Sequence, residues 1–96
     1  MIYLTPDAPP ECGTTMLRHR ATKIHHNTMI DWNSGQGNEV FPGRTFLDKT
    51  PYEVVDVAGN VYNRLVLFSG GNIHAASEYF GDCLDNCRLW QMFFFD

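Results

Sequence analysis

The side chains with the most chemistry to offer in this sequence are four histidines (His19, His25, His26, His74), three cysteines (Cys12, Cys83, Cys87) and the last arginine, Arg88. Cys83 and Cys87 stand four apart beside Asp82 and Asp85, a spacing that would let two thiolates share a metal. A zinc set needs four such donors, and no second cysteine pair or nearby histidine completes it. The odd cysteine count shows no disulfide framework, so reduced thiols are expected. His25 and His26 read as a solvated loop pair, with metal contact as the sharper alternative. His74 lies among Ile73, Ala75 and Ala76, where an imidazole is either hydrogen-bonded in a core or rim, or offered as a ligand. Arg88 is a planar, permanently charged fork that can hold a carboxylate through two parallel hydrogen bonds. Its plainer role is an ion pair with Glu78, Asp82 or Asp85, worth at most about 1 kcal/mol near a surface. Gly70-Gly71 lacks the strand-loop-helix setting of a phosphate loop and reads as a turn.

The elements that must carry these groups are mostly strands. Met1 to Thr5 is apolar and β-branched, and Pro6 to Gly13 is a proline-rich loop, because proline fixes φ and cannot donate to a ladder. Thr14 to His19 alternates as a strand, with Thr15, Leu17 and His19 on one face and Thr14, Met16 and Arg18 on the other. From Ala21 to Pro51 periodicity is weak and Gly, Asn and Pro recur, which predicts a long irregular excursion with one helical turn at Thr45 to Lys49. Tyr52 to Val57 and Val61 to Phe68 flank Ala58-Gly59-Asn60, the strongest hairpin signal in the chain. Asn72 to Ala75 is a short strand, and Ser77 to Asn86 is a polar connection. Cys87 to Asp96 closes the chain as a long strand, aromatic on both faces and so expected to be covered on both. Phe93 to Phe95 are expected in the core. Five or six short strands separated by turn residues make an all-β fold.

At 96 residues, 44% hydrophobic, 14% aromatic and 19% charged, the chain has the composition of one globular domain. A domain this small buries only about two-thirds of its unfolded surface, so an uncovered apolar face would favour a partner. The net charge of -4, with only seven Lys and Arg, argues against a nucleic-acid surface. No run approaches the roughly 20 apolar residues needed to cross a bilayer, and no signal-peptide pattern opens the chain. The expected location is therefore cytoplasmic, with neither nucleic acid nor membrane as partner.

Three stretches, taken in order, carry a resemblance. They are Tyr3-Leu4-Thr5-Pro6-Asp7-Ala8-Pro9 with Gly13-Thr14, then Asn63 to Phe68 with Gly70 and Ile73-His74-Ala75-Ala76, and finally Arg88 to Asp96. In order and spacing these stretches resemble the carboxyl-terminal half of prolyl-hydroxylase-like iron(II)/2-oxoglutarate dioxygenases, nearest the uncharacterised phage and bacterial branch. The likeness spans nearly the whole chain, and no single motif carries it. It implies part of a double-stranded β-helix, or jelly roll. It also implies that His74 is the distal iron ligand, that Arg88 holds the far carboxylate of 2-oxoglutarate, and that Tyr3 offers its hydroxyl to the same carboxylate. In such a site two imidazoles and a carboxylate hold Fe(II) on one face, leaving three positions for 2-oxoglutarate and dioxygen. The family's His-x-Asp or His-x-Glu pair precedes the strand that Tyr3 begins, and the sequence as given starts after it. No such triplet occurs elsewhere, although His19, His25, His26 and Asp31 are candidate replacements.

Three functions follow as expectations. The first is a dioxygenase-like protein using Fe(II) and 2-oxoglutarate as small-molecule co-substrate, inactive alone because the His-x-Asp segment is absent. The second is a non-catalytic structural or binding module, such as a viral accessory or assembly protein, that keeps the fold. The third is a small cupin-like metabolite binder. A half barrel exposes a sheet face and two edges, which predicts a homo-oligomer, most simply a two-fold dimer.

Overall fold

The computed structural model describes residues 1–43, 48–81 and 86–95. Its regular structure is mainly β: β1 (Ile2–Tyr3), β2 (Thr14–His19), β3 (Tyr52–Ala58), β4 (His74–Ala76) and β5 (Trp90–Gln91), with one short helix, α1 (Gln36–Val40). The strands form two sheets, an antiparallel β1-β5 pair and a three-stranded sheet in the order β3-β2-β4. The chain is thus all-β with little helix. No helix among the described residues is long and apolar enough to cross a membrane.

By its internal contacts the chain divides into two compact units. One comprises Met1–Thr15, Val57–Phe68 and Ala76–Asp96; the other comprises Met16–Asp56 and Ser69–Ala75. The second unit holds the apolar core, formed by Leu17, Ile24, Ile30, Val40, Tyr52 and Ile73 with Ala75 packed against them. Alternation along β2 explains its share: Leu17 and His19 turn inward, while Met16 and Arg18 stay partly exposed. Arg18 and Lys23 both reach the same Glu53 oxygen at 2.7 Å. The Tyr52 hydroxyl donates to the Val40 carbonyl at 2.6 Å, which joins β3 to the end of α1.

In the first unit β1 is bonded along both edges. Ile2 and Tyr3 pair with Gln91 and Trp90 on one side, and Ile2 bridges Leu65 on the other. The Tyr3 amide donates to the Arg64 carbonyl at 3.1 Å, and the Leu4 amide to the Leu89 carbonyl at 3.0 Å. Gly13 is required where it stands, since an added Cβ would overlap the Ala58 carbonyl oxygen and lie 2.9 Å from the Asn60 nitrogen.

Several expectations are corrected. The segment after Asn60 forms no strand and no hairpin with β3; Leu65 makes only an isolated bridge, and β3 pairs with β2 instead. The reason lies at the would-be turn. The Asn60 amide donates to the Pro10 carbonyl at 3.0 Å and its side-chain Nδ2 to the Cys12 carbonyl at 3.2 Å, which ties the chain to the proline-rich loop. The closing strand shrinks to Trp90–Gln91, and Phe93, Phe94 and Phe95 are exposed rather than core. The excursion from Ala21 to Pro51 is more ordered than expected, with 3-10 turns at Asn27–Met29 and Trp32–Ser34 before α1. Most of the helical turn expected at Thr45 to Lys49, and Cys83 of the cysteine pair, lie outside the described residues.

Candidate functional site

The most constrained charged group of the first unit is Arg88. Its guanidinium carbon sits 5.9 Å from the centroid of the Tyr3 ring and 5.9 Å from that of Tyr79. Guanidinium planes favour aromatic faces because the ring quadrupole attracts the cation, by about 0.5–1 kcal/mol at exposed positions and more where water is excluded. Nη2 donates to the Gly13 carbonyl at 3.2 Å and to the Thr14 hydroxyl at 3.5 Å. Nε is buried and has no acceptor among the described residues; Asp82 and Asp85, expected as ion-pair partners, lie outside them. A buried donor left unpaired costs about 1–3 kcal/mol, which makes an arriving acceptor favourable at that atom.

The surroundings fix this arginine from below. Tyr3 has no solvent exposure, and its hydroxyl is bonded to the Thr14 hydroxyl at 2.7 Å and to the Ala58 carbonyl at 3.4 Å. Tyr3 therefore reaches the site as the ring under the guanidinium, with its hydroxyl already engaged. Asn60, 1% exposed, places a second unpartnered buried atom, Oδ1, in the same unit. Cys12 is a buried thiol here; burial pushes it up from its ordinary value, Glu11 and Glu78 add to that, and Arg88 works against it. Burial in apolar surroundings makes a cysteine inert rather than nucleophilic.

Among the residues expected in a site, the structure brings Tyr3 and Arg88 together in the first unit and places His74 on β4 in the second. His74 is exposed, and its Nδ1 is 2.7 Å from the Asn72 carbonyl, which fixes the proton on that nitrogen. The other candidate ligands have structural duties. His19 is buried, bonded to Thr22 at 2.8 Å and edge-on to the Tyr52 ring at 5.9 Å. Asp31 caps the turn at Trp32–Ser34 by accepting the Asn33 amide. Among the described residues no group of three His, Cys, Asp or Glu is close enough to hold a metal ion. These residues do not fit an iron centre, which needs three donors on one face, and no oxidative step follows from them.

His26 approaches Ser69 in the manner of a base and a nucleophile, with Nε2 2.8 Å from Oγ. The tautomer is wrong for that chemistry. Nδ1 accepts the Thr28 amide at 3.2 Å, so in the neutral ring the proton sits on Nε2 and is donated to Ser69. The pair caps the turn at Asn27–Met29 and ties it to Ser69.

Sequence reasoning missed Tyr79, whose ring covers Arg88 although the residue is 78% exposed. It falls in a stretch with no periodicity, so no sequence signal marked it. Comparison with protein families, with curated proteins and with solved structures returns no match.

Proposed function

We propose that this chain is a dioxygenase-like protein, part of a jelly roll, that works as a carboxylate-binding module and not as a self-sufficient oxygenase. The observation that carries this reading is the buried Nε of Arg88, without an acceptor among the described residues, on a guanidinium that meets the rings of Tyr3 and Tyr79. A carboxylate oxygen at Nε would satisfy the orphan donor with a charge-assisted bond, and the two rings would keep the fork in place. 2-Oxoglutarate is the ligand suggested by the sequence resemblance, through one of its carboxylates. His74 has no part in this binding.

The large apolar residues exposed in the first unit, among them Leu65, Leu67, Leu89 and Phe93, support a module that works as a homo-oligomer.

Calorimetric titration of 2-oxoglutarate and succinate into the wild type, Arg88→Ala and His74→Ala, without metal and then anaerobically with Fe(II), tests the reading. Metal-independent binding is expected, weakened roughly tenfold or more in Arg88→Ala and unchanged in His74→Ala. Binding that requires Fe(II) and is lost in His74→Ala would replace the module with an oxygenase. No binding, or equal binding by Arg88→Ala, overturns the site.

A further inference from the structure

The second unit contains a cleft of about 460 Å³ that no part of the preceding reading uses. Its apolar lining includes Met16 and Val55, with the core residues Leu17 and Ile73 beneath it. Its polar lining is Arg18, His25, Asn72 and Asp56. Apolar walls with a few polar groups, at this size, are the usual composition of a small-molecule site.

The guanidinium in the lining points to the ligand's head group. Glu53, next to the cleft on β3, takes Arg18 Nε and Lys23 Nζ on one oxygen, each at 2.7 Å. Two cations on one carboxylate leave about one net positive charge at this ion pair, and Asp56 in the lining balances it. Arg18 spends only Nε on Glu53, and among the described residues no other hydrogen bond or ion pair holds its terminal nitrogens. The Leu17 amide donates to the Ile73 carbonyl at 2.8 Å and the Arg20 amide to the Pro51 carbonyl at 2.8 Å, which hold β2 between its two neighbours. Arg18 therefore stands with Glu53 on one side and Asn72 on the other. His25 is fixed through its main chain, whose carbonyl accepts the Ile73 amide at 2.9 Å. Asp56, the acidic member of the lining, already has interactions of its own.

We infer that this cleft binds a small carboxylic acid with an apolar body, its carboxylate on the terminal nitrogens of Arg18 beside Asn72 and its body on Met16 and Val55. The head group gains charge-assisted hydrogen bonds from a guanidinium already oriented by Glu53. The body covers Val55, which is 56% exposed in the free protein. The site is independent of Arg88, since every lining residue belongs to the second unit.

Hexanoate and its uncharged amide, titrated into the full chain and followed by methyl chemical shifts in NMR, are the test. Hexanoate is expected to move the methyls of Met16 and Val55, with hexanamide at least roughly tenfold weaker. Arg18→Met should weaken hexanoate by a similar factor. Because that variant also loses the bond to Glu53, Glu53→Gln is the companion: it breaks the same ion pair yet keeps the guanidinium, and should bind hexanoate as tightly as the wild type or more tightly. Equal binding of acid and amide, shifts confined to the first unit, or a loss in Glu53→Gln as large as in Arg18→Met would each overturn the inference.

Discussion

The Arg88 guanidinium lies over the Tyr3 ring at 5.9 Å while its Nη2 holds the Gly13 carbonyl at 3.2 Å, so one side chain from the end of the sequence pins two points of its beginning. Removing it should be felt in stability as well as in binding. Arg88→Ala is expected to lower the unfolding free energy by about 1–3 kcal/mol, the range for a charged hydrogen bond together with a cation–π contact. Arg88→Lys should restore part of the stability but not carboxylate affinity, because an ammonium lacks the planar fork. Urea unfolding of both variants, set beside the calorimetric titration, separates the two effects.

Glu53 gives the protein a defined acid sensitivity. Its hydrogen bonds to Lys23 and then Arg18 hold its carboxyl below the usual carboxylate range. A carboxyl whose folded value is depressed contributes stability that is fully present above its unfolded value, about 4.3, and is lost as pH falls through the lower folded value. Chemical denaturation of wild type and Glu53→Gln should therefore show a stability gap at neutral pH that closes below about pH 4. A gap unchanged down to about pH 3 would mean the two cations contribute nothing through this carboxylate. Asp48, lowered by the backbone and hydroxyl of Thr50, adds a contribution of the same sign that remains in the variant.

Tyr52→Phe isolates one buried hydrogen bond. The ring stays in the core, while the Val40 carbonyl loses its donor at 2.6 Å. The expected cost is about 1–2 kcal/mol, measured as a lowered urea midpoint with an unchanged slope.

Phe94 offers the opposite case. At 87% exposure it contributes little to folding, so Phe94→Ser should change stability by less than about 0.5 kcal/mol. If the exposed apolar residues of the first unit mediate self-association, light scattering will show the variant shifted toward monomer.

The elements legible in the sequence were those whose period is set within the element. β2 appears at Thr14–His19, where alternation puts it, and β3 runs Tyr52–Ala58, one residue past its expected end. What failed were partner and coverage. Gly59-Asn60 has hairpin chemistry, but two hydrogen bonds from Asn60 to a loop some fifty positions earlier determine its conformation. Bonds of that reach leave no local pattern. Phe93 to Phe95 look like core by type, yet hydrophobicity says only that burial would be favourable, and not that anything in this chain supplies it. The stacking of Arg88 on Tyr3 and Tyr79 joins distant stretches of the chain and likewise leaves no local pattern.

Gly13→Ala tests the tightest crossing of the first unit. The new methyl would overlap a backbone oxygen that cannot rotate away, so the loss should reach about 3 kcal/mol or more, read as failure to unfold cooperatively in urea or as insoluble expression.

The same crossing makes the two positions unequal in what they can become. Position 58 takes part through its peptide oxygen, which every amino acid possesses, so this contact sets no requirement on its side chain. Position 13 takes part through the lack of a side chain, a property of one residue type alone. A collection of functional variants from random mutagenesis should accordingly be diverse at 58 and frozen at 13, although the two residues touch the same point in space.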